Sequence, residues 1–232
     1  MLGPEDVARP CECRERLVAR ARLRGVASVI PAKYRGVSFD RPPVTQMNAV
    51  VVRRVREFCE GIDANLDRGR GLWIYGSAGT GKTTLAMLVS RTALEAGRSV
   101  AIYSLPKLLA GIRRTYDAAA GEQSYAELFE RLASVDLLHI DDLGSEKQTE
   151  WVLEQLYALV NERYEAQRSL VVTTNHDESE LEEQIGARVV SRLAEMCETL
   201  PVFDEDRRWR GPAGIAGPLG EGSGAGLGPL DH

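Results

Sequence analysis

Leu72-Trp73-Ile74-Tyr75-Gly76-Ser77-Ala78-Gly79-Thr80-Gly81-Lys82-Thr83-Thr84-Leu85-Ala86 decides how the rest of this chain is read. Four apolar or aromatic residues make a short strand, a glycine-punctuated loop follows, and an amphipathic stretch running to residue 96 begins directly behind it. Residues 76–83 fit G-x-x-x-x-G-K-[ST] at every fixed position, in the strand-loop-helix setting that gives the pattern meaning. Glycines let the backbone wrap closely with its N–H groups turned inward, and the helix N-terminus adds partial positive charge. A polyphosphate is therefore the expected guest of Gly76, Ser77, Ala78, Gly79, Thr80, Gly81, Lys82, Thr83 and Thr84. Lys82 is expected to reach the β- and γ-phosphate oxygens, and the Thr83 hydroxyl to hold a magnesium ion (Mg2+) between them.

Outward from this loop, short apolar runs alternate with longer amphipathic stretches, the rhythm of a parallel sheet covered by helices. Strands are predicted at 72–75, 99–104, 135–140, 169–174 and 200–203, and helices at 81–96, 106–119, 124–133, 149–167, 179–185 and 188–197. Right-handed crossovers then give an α/β fold, a three-layer α/β/α sandwich on a five-stranded parallel sheet. Ahead of it, Pro31, Gly36, Pro42 and Pro43 punctuate a linker, and a helix is predicted from 44 to 62 with Val51, Val55, Phe58 and Ile62 on one face. The chain divides into a basic segment (1–30), a linker and helix (31–70), a nucleotide-binding core (71–210) and a tail (211–232).

Composition sets the outer bounds. A chain of 232 residues, 44% hydrophobic and 27% charged, is long enough for one large domain and is neither fibrous nor wholly disordered. No apolar run approaches the roughly 18 to 20 residues of a membrane-spanning helix, and the first ten residues, MLGPEDVARP, lack the apolar stretch of a signal peptide. The expectation is a cytoplasmic protein with no membrane partner and reduced thiols at Cys11, Cys13, Cys59 and Cys197. Net charge of -5 argues against coating nucleic acid by bulk positive charge. Locally the balance reverses: six arginines against Glu12 and Glu15 give residues 9–24 a net of +4, on a stretch read as a basic helix ending at Gly25. That helix either docks on an acidic partner or a phosphate backbone or is a solvated face. Cys11 and Cys13 supply only half of a tetrahedral zinc site. Residues 211–232, with eight glycines and three prolines, are expected to be disordered.

Further chemistry-bearing residues stand at predicted strand ends. The apolar run 135–140 delivers Asp141 and Asp142 to the carboxyl edge of the sheet, where open α/β sheets bind ligands. Asp141 is expected to hold the magnesium through water, and Asp142 to orient or deprotonate the attacking water. The next strand ends at Asn175, which either hydrogen-bonds the γ-phosphate or lytic water, or caps the following helix. Arg188 and Arg192 sit four apart on one helical face and Arg208 follows the last strand; each is either a phosphoryl-charge stabiliser or a surface ion-pair partner. Lys107, Arg113 and Arg114, with Tyr116, form a helical set of cations and an aromatic suited to a nucleic-acid strand, beside a core face of Leu105, Leu108, Leu109 and Ile112. No Asn-Lys-x-Asp guanine signature occurs, which favours adenine, hence ATP.

Together the loop GSAGTGKT, the block Leu137-Leu138-His139-Ile140-Asp141-Asp142-Leu143-Gly144, Asn161-Glu162-Arg163-Tyr164, Thr173-Thr174-Asn175 and Arg188-Val189-Val190-Ser191-Arg192-Leu193 resemble the AAA+ ATPases of the DnaC-like helicase-loader and IstB-like group, over residues 31–210. The resemblance implies a Mg2+-dependent ATPase, with Asn175 as sensor 1, Arg192 as an arginine finger reaching the ATP of the next subunit in a homo-oligomer, Arg208 as the sensor 2 arginine and Arg188 in support. It also implies a replicative DNA helicase and single-stranded DNA as partners, the latter through Lys107, Arg113 and Arg114. An IstB-like helper of a transposase, or an ATP-gated adaptor with little hydrolysis, is the alternative. Asp142 stands where AAA+ proteins more usually carry glutamate, although a double aspartate is common in this group.

Overall fold

Strand β1 (Gly71–Tyr75) lies second from one edge of a five-stranded sheet in the computed structural model, which describes residues 30–116, 124–147 and 149–203. Its companions are β2 (Val100–Ser104), β3 (Leu137–Asp141), β4 (Ser169–Thr174) and β5 (Cys197–Pro201), in the order β2-β3-β4-β1-β5 with every pairing parallel. Helices α1 (Ala49–Glu60), α2 (Ile62–Asp67) and α3 (Lys82–Glu95) lie on one face. The other face is covered by α4 (Leu105–Tyr116), α5 (Tyr125–Ser134), α6 (Glu150–Glu165), α7 (Glu178–Ile185) and α8 (Ala187–Met196). The three-layer sandwich is thus the fold.

Strand alternation explains the layering. Leu72 and Ile74 enter one core with Val55, Phe58, Leu85 and Val89, whereas Trp73 enters the other with Leu156, Val172 and Leu193. Local signals start the helices: Asn48 accepts from the amides of Val50 and Val51, and capping boxes pair Ser124 with Glu127 and Asp177 with Glu180.

Most boundaries fall within about two residues of the sequence prediction, and two regions differ more. The helix expected over 44–62 is broken into a 3-10 turn (Val44–Gln46), α1 and α2, because Asn48 caps a new helix and Gly61 ends it. The apolar spacing of Val51, Val55, Phe58 and Ile62 runs through the Gly61 break, and all four are buried. At the last strand, Cys197 belongs to β5 rather than to the helix before it, paired with Gly71, and the strand ends at Pro201 rather than 203. Cys197 and Leu200 are its buried residues, and Pro201 is tolerated because β5 is an edge strand. Expectations for the basic segment up to residue 29, Cys11, Cys13, Arg208 and the tail 211–232 fall outside the described residues. Among the described residues, no helix is long and apolar enough to cross a membrane.

Because all strands run the same way, their carboxyl ends share one edge. Tyr75 pairs with Thr174, and Ser104 with Asp141. That register brings the glycine loop, the aspartate pair and Asn175 together.

Candidate nucleotide-binding site

The loop turns on backbone that only glycine adopts freely. Gly76, Gly79 and Gly81 have φ of 138°, 80° and 97°. At Gly76 a Cβ would also lie 2.2 Å from the Val202 carbonyl oxygen, since the chain leaving β5 crosses here with the Val202 amide donating to Tyr75 O at 2.7 Å. Thr80 is buried and its hydroxyl donates to Ser77 O at 2.9 Å, bracing the turn.

Lys82 opens α3 and is itself buried. Its Nζ donates to Gly76 O at 2.8 Å, Ser77 O at 2.7 Å and Asn175 Oδ1 at 2.8 Å. The ammonium therefore ties the loop to the end of β4. Thr83 and Thr84 follow on the first turn of α3, both half-buried.

Across the edge, β3 ends at Asp141, half-buried. The Thr173 hydroxyl donates to Asp141 Oδ1 at 2.6 Å and accepts from the Asp142 amide at 3.0 Å. The Leu143 amide donates to Thr173 O at 2.8 Å, and the Thr174 hydroxyl donates to Leu143 O at 2.7 Å. This lacing carries Asp142 through the left-handed region at φ 58°, where aspartate is among the few tolerated side chains. Behind Asp141, on the same strand face, His139 is fully buried, with Nδ1 2.9 Å from Ser90 Oγ on α3 and Nε2 3.9 Å from Asp141 Oδ1. Burial pushes the imidazole pKa down to about 3, so the ring is neutral. Thr173, His139 and Ser90 are site residues to which sequence reading assigned no role; the available signal was a polar residue inside an otherwise apolar strand or helix face.

Of the two roles open to Asn175, the cap of α7 is made by Asp177, whose side chain accepts from the Glu180 amide, while the Asn175 amide oxygen accepts from Lys82. Arg192 on α8 packs against α6: its guanidinium sits over the rings of Tyr157 (5.1 Å) and Tyr164 (5.5 Å) and donates to Arg188 O and the Tyr157 hydroxyl, each at 3.4 Å. Lys107, Arg113 and Arg114 are exposed on α4, and Arg113 is held over the Trp151 ring at 4.7 Å. Beside them Tyr116 stacks on Tyr125 at 5.6 Å.

A parallel sheet ordered β2-β3-β4-β1-β5, with a glycine loop and buried lysine after β1 and an aspartate pair after β3, defines a P-loop protein of the AAA+ type. The chain belongs to the family of IstB-like ATP binding proteins, whose model matches residues 49–211. Among characterised proteins it is similar to the replicative helicase loader DnaC of Escherichia coli (strain K12), 27% identical over 148 residues, or 64% of this chain and 58% of that protein. The chain thus spans somewhat over half the length of that relative. It also resembles DnaC of Buchnera aphidicola subsp. Acyrthosiphon pisum, 24% identical over 182 residues, covering 77% of this chain and 69% of the relative. Among solved structures, the DnaC helicase loader superposes with a TM-score of 0.64 at 24% identity, over 75% of this chain and all of that one. The replication initiator DnaA bound to AMPPCP and single-stranded DNA gives 0.62 at 22% identity, over 77% of this chain and 52% of that one. At these identities the structural matches speak for the fold.

Proposed function

We propose that this chain is an ATP-dependent DNA replication factor of the helicase-loader kind, which binds and hydrolyses ATP to control its hold on a replicative helicase and single-stranded DNA. The observation that carries this reading is the joining of three strand ends: Lys82 bridges the glycine loop to Asn175, and Thr173 fixes Asp141 beside them. The similarity to DnaC loaders supports the choice of partner.

In this reading the amides of residues 76–84 and the Lys82 ammonium bind the triphosphate. The donor set fits magnesium, an oxygen-seeking ion: the Thr83 hydroxyl and the Asp141 carboxylate, the latter by way of water, would hold it. When bound, that ion neutralises charge on the β- and γ-phosphates. Asp142 orients or deprotonates the attacking water, and Asn175 hydrogen-bonds that water or the γ-phosphate without adding negative charge. Arg192 completes the site of a neighbouring protomer, with Arg188 in support, and Arg208 acts as the sensor 2 arginine. Lys107, Arg113 and Arg114 contact single-stranded DNA, the basic segment 1–30 engages the partner protein, and 71–210 is the ATPase core.

Arg192→Ala will bind ATP normally while turnover falls on the order of 10³-fold. Turnover close to the parent rate would remove Arg192 from the site. The partner is tested by capture from the host with ATP and Asp142→Asn, which should retain a hexameric helicase and release it when ATP is withheld. Recovery of an integrase-type transposase instead favours the second reading, a transposition helper, which the IstB-like character of the family supports. ATP binding without turnover, in the presence or absence of single-stranded DNA, leaves a nucleotide-gated adaptor.

A further inference from the structure

His139 is the one polar residue among the four preceding Asp141 on β3, with no exposed surface. One nitrogen, Nδ1, meets Ser90 Oγ at 2.9 Å. The other, Nε2, has no hydrogen-bond partner and lies 3.9 Å from Asp141 Oδ1. Ser90 has one hydroxyl proton and two acceptors in reach, the Ala86 carbonyl oxygen at 3.1 Å and Nδ1 at 2.9 Å. The carboxylate decides between them. A bare Nε2 lone pair aimed at Asp141 is repelled by it, whereas an Nε2–H is attracted, so the proton belongs on Nε2 and the Ser90 hydroxyl donates to Nδ1. A polar chain then runs from α3, the helix that begins with Lys82, through Ser90 and His139 to Asp141.

We infer that His139 is a positioning residue for Asp141, restraining its carboxylate from the α3 side while Thr173 restrains it from β4. This rests on reading Asp141 as the magnesium-side carboxylate. Both groups address Oδ1, from two different elements, so together they set the direction in which Oδ2 is presented. A buried N–H one contact short of a hydrogen bond is also an incentive for Asp141 to stay on this side of the strand end. Carboxylates that serve a metal are commonly held by such outer hydrogen bonds, and losing one weakens metal binding by roughly 10- to 100-fold.

The test uses the full chain, a fluorescent ATP analogue and a magnesium titration, with nucleotide binding in excess chelator measured separately. His139→Leu keeps the volume and removes both nitrogens. His139→Gln places an amide near Nε2, and His139→Asn places one near Nδ1. The expected result is that His139→Leu and His139→Asn raise the magnesium concentration needed for half-maximal response by roughly tenfold. Binding in chelator should stay unchanged, and His139→Gln should recover most of the magnesium response. Equal magnesium dependence in the parent and His139→Leu overturns the inference, as does a loss that His139→Gln leaves unrepaired, which marks a packing role. A parent that binds nucleotide with no magnesium response overturns the reading of Asp141 and the inference together.

Discussion

Lys82→Ala will lower ATP affinity by about 3 kcal/mol, or roughly 100-fold, measured by equilibrium titration with a fluorescent nucleotide. Hydrogen bonds from a charged donor to phosphate are about twice as strong as neutral ones, and Lys82 brings its ammonium to the loop from a buried position. The substitution also removes the donor shared by Gly76 O, Ser77 O and Asn175 Oδ1, so the loop loses its tie to β4. Lys82→Arg should not restore binding, because a planar guanidinium cannot replace a compact ammonium that reaches three oxygens within 2.8 Å. Unchanged affinity in Lys82→Ala would remove the loop from the nucleotide site and the proposed function with it.

Arg163→Met will lower stability by about 4 kcal/mol, seen as a loss of roughly 8–16 °C in Tm. The guanidinium has no exposed surface and no carboxylate in its hydrogen-bonding shell. Nη1 donates to Leu132 O at 2.7 Å and Ala133 O at 3.1 Å. Nη2 donates to Val135 O at 3.0 Å, Asp136 O at 3.4 Å and Ser169 O at 2.6 Å. One side chain of α6 thus satisfies carbonyls at the end of α5, along the approach to β3 and at the start of β4, and its charge suits a helix C-terminus. Desolvation, helped by the neighbouring charge of Arg168, pushes its pKa down to about 9, which still leaves it charged at neutral pH. Methionine fills the stem but strands those oxygens. A Tm within about 2 °C of the parent would mean that water replaces the guanidinium at little cost.

Local chemistry was legible in the chain and distant chemistry was not. The loop at 76–83 could be read because strand, glycines, lysine and helix are contiguous, and β3 and β4 because both their faces are buried and their sequences are apolar runs. Gly61 and Asn48 carry their own stop and start signals, yet the apolar spacing that continues across them reads as one helix. The end of α8 had no signal at all: Met196 continues the amphipathic pattern, and Cys197 is apolar enough to serve either element. The site's closing contacts join residues far apart in sequence, 93 positions for Lys82 with Asn175, 49 for Ser90 with His139 and 32 for Thr173 with Asp141. No periodicity encodes such pairs. The cap of α7 was legible in principle, since Asp177 and Glu180 have capping-box spacing, and reading it would have relieved Asn175 of that duty.

The left-handed turn at Asp142 limits what can replace it. Asparagine keeps both the shape and the backbone preference, so Asp142→Asn, the variant proposed for partner capture, is also the gentlest substitution. Glutamate, the residue more familiar at this place in AAA+ proteins, would bring a longer side chain to a backbone angle that most residues adopt only at a cost of about 1–2 kcal/mol. Exchange between the two acids is therefore not a single-letter matter: a lineage that lengthens this carboxylate either carries that strain or re-bends the peptide beneath it.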